Sequence, residues 1–228
     1  FRAAEIPFIA IATPHPGAIY YGADNYQVGR LAGQALGAWA REHWNGQVDE
    51  VLLLGNAREG RIANQKLSGA VIRIRELLPH ISGPQFLELS AGTFPHTLGV
   101  VRKHLRKSRA KRILIATLND GRAIAAIQAF EEAGCAERCI VVGQNGSIEG
   151  RAELRRPGTR LIALVAYFPE HYGPNLISLA SKILKKRALP PAVFVKHRLL
   201  TSENVDLVYP NDPLLTLNDR VGMDWQRP

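Results

Sequence analysis

The chain alternates between two hydrophobic rhythms along nearly its whole length. Continuous apolar runs of strand length occur at Ile6 to Ala12, Val51 to Leu54, Phe86 to Leu89, Ile113 to Thr117, Cys139 to Val142, Leu161 to Ala166 and Val193 to Leu199. Between them the apolar residues recur at helical spacing. Asp24 or Asn25 can cap a helix carrying Val28, Leu31, Ala32, Ala35, Leu36 and Trp39. A second helix places Leu67, Ala70, Val71, Ile74, Leu77 and Leu78 on one face and stops at Pro79. Further helices are predicted from about Pro95, from Asn119 to about Ala133 with Gly134 as the stop, and from Pro169 to about Arg187.

Strands that are apolar at every position are buried on both faces, so this alternation predicts an α/β fold: a doubly wound parallel sheet with helices on both faces. The run from Ile6 to Ala12 is expected to be a buried strand. Sheets of this kind bind ligands beyond the carboxyl ends of their strands. The loops that matter are therefore those after Ala12, Leu54, Leu89, Thr117, Val142 and Ala166.

Those loops are polar and poor in catalytic groups. Leu118-Asn119-Asp120-Gly121 follows one strand, Gly143-Gln144-Asn145-Gly146 another, and Tyr167-Phe168 a third. Amides offer a donor and an acceptor together, and an aromatic ring can cover the apolar face of a sugar, so the loops suit holding more than reacting. The sequence contains no GxSxG elbow, no GxxxxGK[ST] phosphate loop, no HExxH, and no GxGxxG after a strand. The seven histidines are scattered without a metal-ligand spacing. Asp120 could act as a base but reads as a helix cap. No enzyme, cofactor or metal is expected.

Charge and cysteine content add little to this picture. The 228 residues are 46% hydrophobic and 21% charged, ordinary for a globular chain, and no run reaches the length of a membrane-spanning helix. The net charge of +9 is largely local, since residues 102 to 112 alone hold seven Lys or Arg. Without interleaved aromatics that segment reads as a solvated helix face rather than a nucleic-acid track. Cys135 and Cys139 are compatible with a local disulfide or with two separate buried thiols. Phe1 stands where an initiator Met would, which leaves room for a leader, a lipid anchor or another domain upstream.

In order along the chain, IPFIAIA, YGADNYQVGRLAG, LNDGRAIAAIQAFEEAG, IVVGQNG and AYFPEHYG resemble the type I periplasmic binding proteins, the family of ribose-type sugar receptors and lactose-repressor-like effector domains. The resemblance spans about residues 5 to 210. It implies a two-lobed α/β fold with residues 14–166 as the second lobe, 1–13 and 168–192 as parts of the first, 193–209 as a final crossover strand and connection, and 210–228 as a peripheral tail. It further implies that the first lobe's opening elements precede Phe1. Ligand contact is implied for Asn119, Asn145, Lys66, Phe94 and Tyr167. Ala12 and Thr13 stand where the sugar receptors carry Asp and Arg, leaving Thr13 as the polar side chain there; Asn145 replaces an Asp, and Lys66 an Arg.

The implied function is non-catalytic binding of a sugar or polyol by a periplasmic or extracytoplasmic receptor that closes its lobes and serves the membrane permease of an ABC-type importer. The alternative is the effector domain of a cytoplasmic transcription regulator, which would meet DNA only through a helix-turn-helix domain N-terminal to this segment.

Overall fold

A computed structural model of the protein describes residue 4 and residues 6–212. The described residues form two sheets. Strands β1 (Ile9–Ile11), β2 (Ile19–Gly22) and β8 (Ala192–Phe194) make a parallel three-stranded sheet in the order β1-β2-β8. Strands β3 (Glu50–Gly55), β4 (Phe86–Ser90), β5 (Ile113–Thr117), β6 (Cys139–Asn145), β7 (Leu161–Ala166) and β9 (Arg198–Leu200) make a six-stranded sheet in the order β4-β3-β5-β6-β7-β9. All its pairings are parallel except β7 with β9. This is the expected α/β arrangement of mostly parallel strands flanked by helices.

The helices are α1 (Asn25–Trp44), α2 (Gly60–Leu77), α3 (Phe94–Leu105), α4 (Asp120–Glu132), α5 (Ile148–Arg155), α6 (Tyr172–Leu184) and α7 (Val205–Val208). Apolar residues of α1 and α2 join Val51, Leu53, Leu114, Ile140 and Val142 in one cluster, while α4 and Leu154 of α5 join Leu52, Leu54, Ile113, Ile115 and Val141 in another. Alternate residues of the central strands thus enter opposite clusters, as the period of a strand requires. The buried helix faces match those read from the periodicity, and Asp24, rather than Asn25, caps α1 by accepting from the Gln27 N–H.

The α1–α2 contact is unusually close because both helices meet at glycine. A Cβ on Gly29 would lie 2.0 Å from the Lys66 carbonyl oxygen, and one on Gly69 would lie 2.2 Å from the Tyr26 carbonyl oxygen. Only residues without a side chain allow that approach. It fixes the height at which Lys66 leaves α2.

Several expectations need correction. The run from Ile6 to Ala12 forms a strand only over Ile9–Ile11 and is only partly buried: Ala10 is buried and Ile9 half-buried, but Ile11 is exposed on β1, which is an edge strand among the described residues, and Ile6 is exposed before it. A second strand, β2, follows the Pro-Gly turn; the apolar runs do not mark it, although the YGADNYQVGRLAG segment begins at its end. The run from Val193 to Leu199 is two strands in two sheets, broken at Val195 to His197. Strand β6 continues to Asn145, so Gly143 and Gln144 belong to the sheet rather than to a loop. Helix α5 was missed; Ser147 caps it by accepting from the Gly150 N–H.

Residues 213–228 of the expected tail lie outside the described residues, but Asp212 is buried and ion-paired with Arg151 at 2.6 Å, so this residue is not peripheral. Arg155 reaches the same carboxylate at 2.9 Å. Cys135 and Cys139 are both buried and unbridged, and burial pushes the Cys139 thiol up to about 12. In the basic segment Arg102 pairs with Glu132, while Lys103, Arg106, Lys107, Arg109 and Lys111 face solvent. His104 is paired with Glu50 at 2.7 Å, a contact that its sequence neighbours did not suggest.

Candidate functional site

A cleft of about 460 Å³ lies where the two sheets meet, bounded by the residues after β1, the carboxyl ends of β6 and β7, and the first turn of α2. Thr13, Tyr20, Lys66, Asn145, Tyr167 and Tyr172 are among its lining residues. The position follows from the topology, since parallel strands deliver their following loops to one end of the sheet.

The backbone at this end is bent into uncommon conformations. Ala12 (φ 61), Asn145 (φ 112) and Phe168 (φ 54) are three of the five non-glycine residues with positive φ among the described residues. Each costs free energy, on the order of 1–3 kcal/mol, that the surrounding structure must supply. They stand immediately after β1, at the end of β6, and two residues beyond β7. Two of them, Ala12 and Asn145, line the cleft.

Lys66 is the most constrained polar group in the cleft. Its Nζ donates to the Leu118 carbonyl at 3.1 Å and lies 5.1 Å from the centre of the Tyr167 ring. Burial lowers its pKa to about 8, although Asp120 and Glu59 pull the other way; the Arg122 charge adds to the lowering. No carboxylate forms an ion pair with it among the described residues. Tyr167 is held from behind, its hydroxyl donating to Gln144 Oε1 at 2.6 Å, and burial raises its pKa well above the usual phenol value. Lys66 and Tyr167 therefore present fixed groups to a ligand.

Asn119 and Asp120 lie at the start of α4. Asn119 is the cap of α4, its Oδ1 accepting from the Arg122 N–H at 3.0 Å, and it is not among the lining residues. Asp120 is not the cap. It is buried at the first position of α4, where its Oδ2 accepts from the Ser147 N–H at 2.7 Å and its Oδ1 has no partner. Burial raises its pKa to about 6 against the pull of its hydrogen bonds from Ser147 and its neighbours. It ties the start of α4 to the start of α5. Phe94, at the first turn of α3, is partly exposed and also not among the lining residues.

Four of the six expected contacts are thus brought together: Thr13, Lys66, Asn145 and Tyr167. Sequence reasoning missed Tyr20, Glu59, Arg61 and Tyr172. Tyr172 lay inside the AYFPEHYG segment, and Glu59 and Arg61 lay in the polar loop after Leu54, but nothing in their spacing singled them out. Glu59 is engaged by the buried Arg122, which donates to both of its carboxylate oxygens.

A wider groove of about 790 Å³ adjoins the cleft at Tyr167 and Tyr172 and runs along α6 and β8. It lies beside the three-stranded sheet and shares Tyr167 and Tyr172 with the cleft, but not Thr13, Lys66 or Asn145. Among the described residues there is no cluster of side chains suited to a metal ion, and no helix is long and apolar enough to cross a membrane.

Comparison with known proteins bears on the fold. A family model described as a periplasmic binding protein domain matches residues 1–188. No curated protein matches the sequence. Among solved structures, the chain is similar to an ABC transporter solute-binding protein from Agrobacterium vitis with bound allitol, at 22% identity and a TM-score of 0.75, covering 92% of this chain and 72% of that one. It is similar to a periplasmic solute-binding protein from Actinobacillus succinogenes with bound D-allose, at 20% identity and a TM-score of 0.72, covering 90% and 72%. A carbohydrate transporter solute-binding protein from Agrobacterium radiobacter in complex with D-arabinose gives 18% identity and a TM-score of 0.74, covering 93% and 71%. At these identities the likeness establishes the fold.

Proposed function

Because the chain belongs to the periplasmic binding protein domain family, we propose that it binds a small hydroxylated ligand, a sugar or polyol, as the extracytoplasmic receptor of an ABC-type importer. The observation that carries this reading is the cleft between the two sheets, where Lys66, Asn145, Thr13 and three tyrosines converge at the strand ends. Hydroxyl-rich ligands need fixed donors and acceptors together with aromatic surface, and this cleft supplies both.

In this reading the two sheets belong to two lobes. The three-stranded sheet with α6 is one, and the six-stranded sheet with α1 to α5 is the other. The chain passes between them at Gly22 to Asp24, at Tyr167 to Phe168 and at Val195 to His197. Ligand groups held by Thr13 and Tyr20 on one side and by Lys66 and Asn145 on the other would favour the closed state through contacts made only when the lobes approach.

The test is calorimetry on the full-length protein with a panel of sugars and polyols. Saturable binding by at least one member, weakened about tenfold or more by Asn145→Ala, is expected. A folded protein that binds none of them would overturn the reading.

A further inference from the structure

Among the described residues, the charges around the cleft do not balance. Glu59 is the one carboxylate among the described lining residues, and both of its oxygens are taken by Arg122. Two lining cations, Lys66 and Arg61, form no ion pair with a carboxylate among the described residues. Lys66 satisfies one of its three N–H donors on a carbonyl and rests on the Tyr167 ring, which leaves its charge without a counterion in contact. Asp120 is close enough to influence it through its charge but forms no ion pair with it; its Oδ2 accepts from the Ser147 N–H and its Oδ1 has no partner among the described residues.

The backbone adds to the same imbalance. Gly60, Arg61, Ile62 and Ala63, the opening turn of the 18-residue helix α2, line the cleft. No acidic residue lies in that turn, and no side chain caps it. The positive end of the helix therefore faces the cleft with its one neighbouring carboxylate already occupied. A partly buried cation is costly unless it is paired, and a ligand can supply the partner that the protein does not.

We propose that the ligand of this cleft is anionic: a sugar acid or similar polyhydroxylated carboxylate whose carboxylate pairs with Lys66, with Arg61 adding attraction at the rim. Asn145 and Thr13 then meet its hydroxyl groups, with the tyrosine rings lining the cleft beside them. This rests on the hydroxylated-ligand reading above and narrows its chemical class. Charge selection at one buried ammonium is a strong discriminator, because a neutral analogue leaves that charge unpaired.

Matched pairs of probes test it: galacturonate against galactose, and gluconate against glucitol, by calorimetry on the full-length protein at pH 7. At least one acid is expected to bind about tenfold or more tighter than its neutral partner. Lys66→Gln is expected to remove that preference and Lys66→Arg to keep it, with melting curves confirming that each variant is folded. Arg106→Gln, at an exposed basic residue immediately after α3, is expected to leave it unchanged, separating a local pairing from the effect of net charge. Should Lys66→Gln fail to fold, the acid-to-neutral ratio of the unmodified protein still decides. Neutral sugars binding as tightly as their acids, or an acid preference that survives Lys66→Gln, would overturn the anionic assignment while leaving the sugar-binding reading intact. If no acid and no neutral member binds, both fall.

Discussion

In the six-stranded sheet Ile113, Leu114 and Ile115 are all 0% exposed, whereas in the three-stranded sheet Ile11 is 49% exposed and Phe194 55%. The two regions are written in the same apolar alphabet. What differs is coverage. Helices α1 and α2 close one face of the larger sheet and α3 to α5 the other, so each central residue enters one of two apolar clusters. The smaller sheet joins the first cluster through Tyr21, Ile9, Ile19 and Val193, which share it with α6. Tyr21 and Tyr172 meet edge to face there, with ring centroids 5.2 Å apart. An apolar run reports that a strand can be buried; its place in the strand order and the elements above it decide whether it is.

The most direct way to break this comparison is to make one substitution in both regions. Phe130, in α4, is fully buried under the six-stranded sheet, and Phe130→Ala is expected to cost about 3–5 kcal/mol of unfolding free energy. Phe194→Ala is expected to cost about 1 kcal/mol or less, because the ring is already half in water, with an edge contact to Tyr20 at 5.9 Å. Urea denaturation measures both. Equal losses would mean that the smaller sheet is as well packed as the larger one.

The same contrast explains how far the sequence could be read. Strands β5 and β7 begin and end where the apolar runs do, because both lie inside the larger sheet, where uniform burial makes a run uniformly apolar. The run at Ile6 to Ala12 is read less well, since it looks like a central strand but is an edge strand among the described residues. The run at Val193 to Leu199 hid a change of sheet, because a crossing segment such as Val195 to His197 stays partly buried and needs no turn residue. Helix α5 escaped notice because its sequence, IEGRAELR, has too few apolar positions to show a period; its cap Ser147 was the available signal. Gly29 and Gly33, four apart on α1, were likewise a readable sign of close helix contact.

The site was legible only in part. Lys66, Asn145, Tyr167 and Thr13 could be placed because each sits at a fixed offset from a strand end or a helix glycine within a familiar segment. Arg61 and Glu59 could not, since their role depends on how the loop after β3 folds back and on Arg122, 63 residues beyond Glu59, reaching across to it.

A second, smaller effect sharpens the comparison on the larger sheet's side. Asp212 is buried against α5, and although burial opposes it, the hydrogen bonds from Arg151 and Arg155 hold its carboxyl below the usual range. A carboxyl whose folded pKa is depressed contributes stability that is present above its unfolded value and is lost as pH falls through the folded one. The contribution is therefore complete above about pH 4 and disappears on stronger acidification. Asp212→Asn is expected to cost about 1–3 kcal/mol near pH 7 and progressively less as pH falls from 4 to 2, leaving Arg151 without its countercharge. Denaturation of both proteins as a function of pH measures this, and a difference independent of pH would assign the loss to packing.

The smallest predicted effect concerns the junction between the two regions. Tyr167 leaves β7 of the larger sheet and packs against Lys66, and the next residue, Phe168, begins the passage to α6. Its hydroxyl reaches back to Gln144 of β6, so one hydrogen bond sets the angle at which the chain departs. Tyr167→Phe keeps the ring and leaves Gln144 Oε1 without that donor, at an expected cost of about 1 kcal/mol. If the bond serves only the larger sheet, ligand affinity should follow the intact protein closely. If it positions the junction, affinity should fall severalfold while the stability change stays small, because the cleft groups of the two sheets would no longer be held in register. Calorimetry beside urea denaturation on this single variant separates the two, and it measures how far the poorly covered sheet depends on the well covered one for its place in the site.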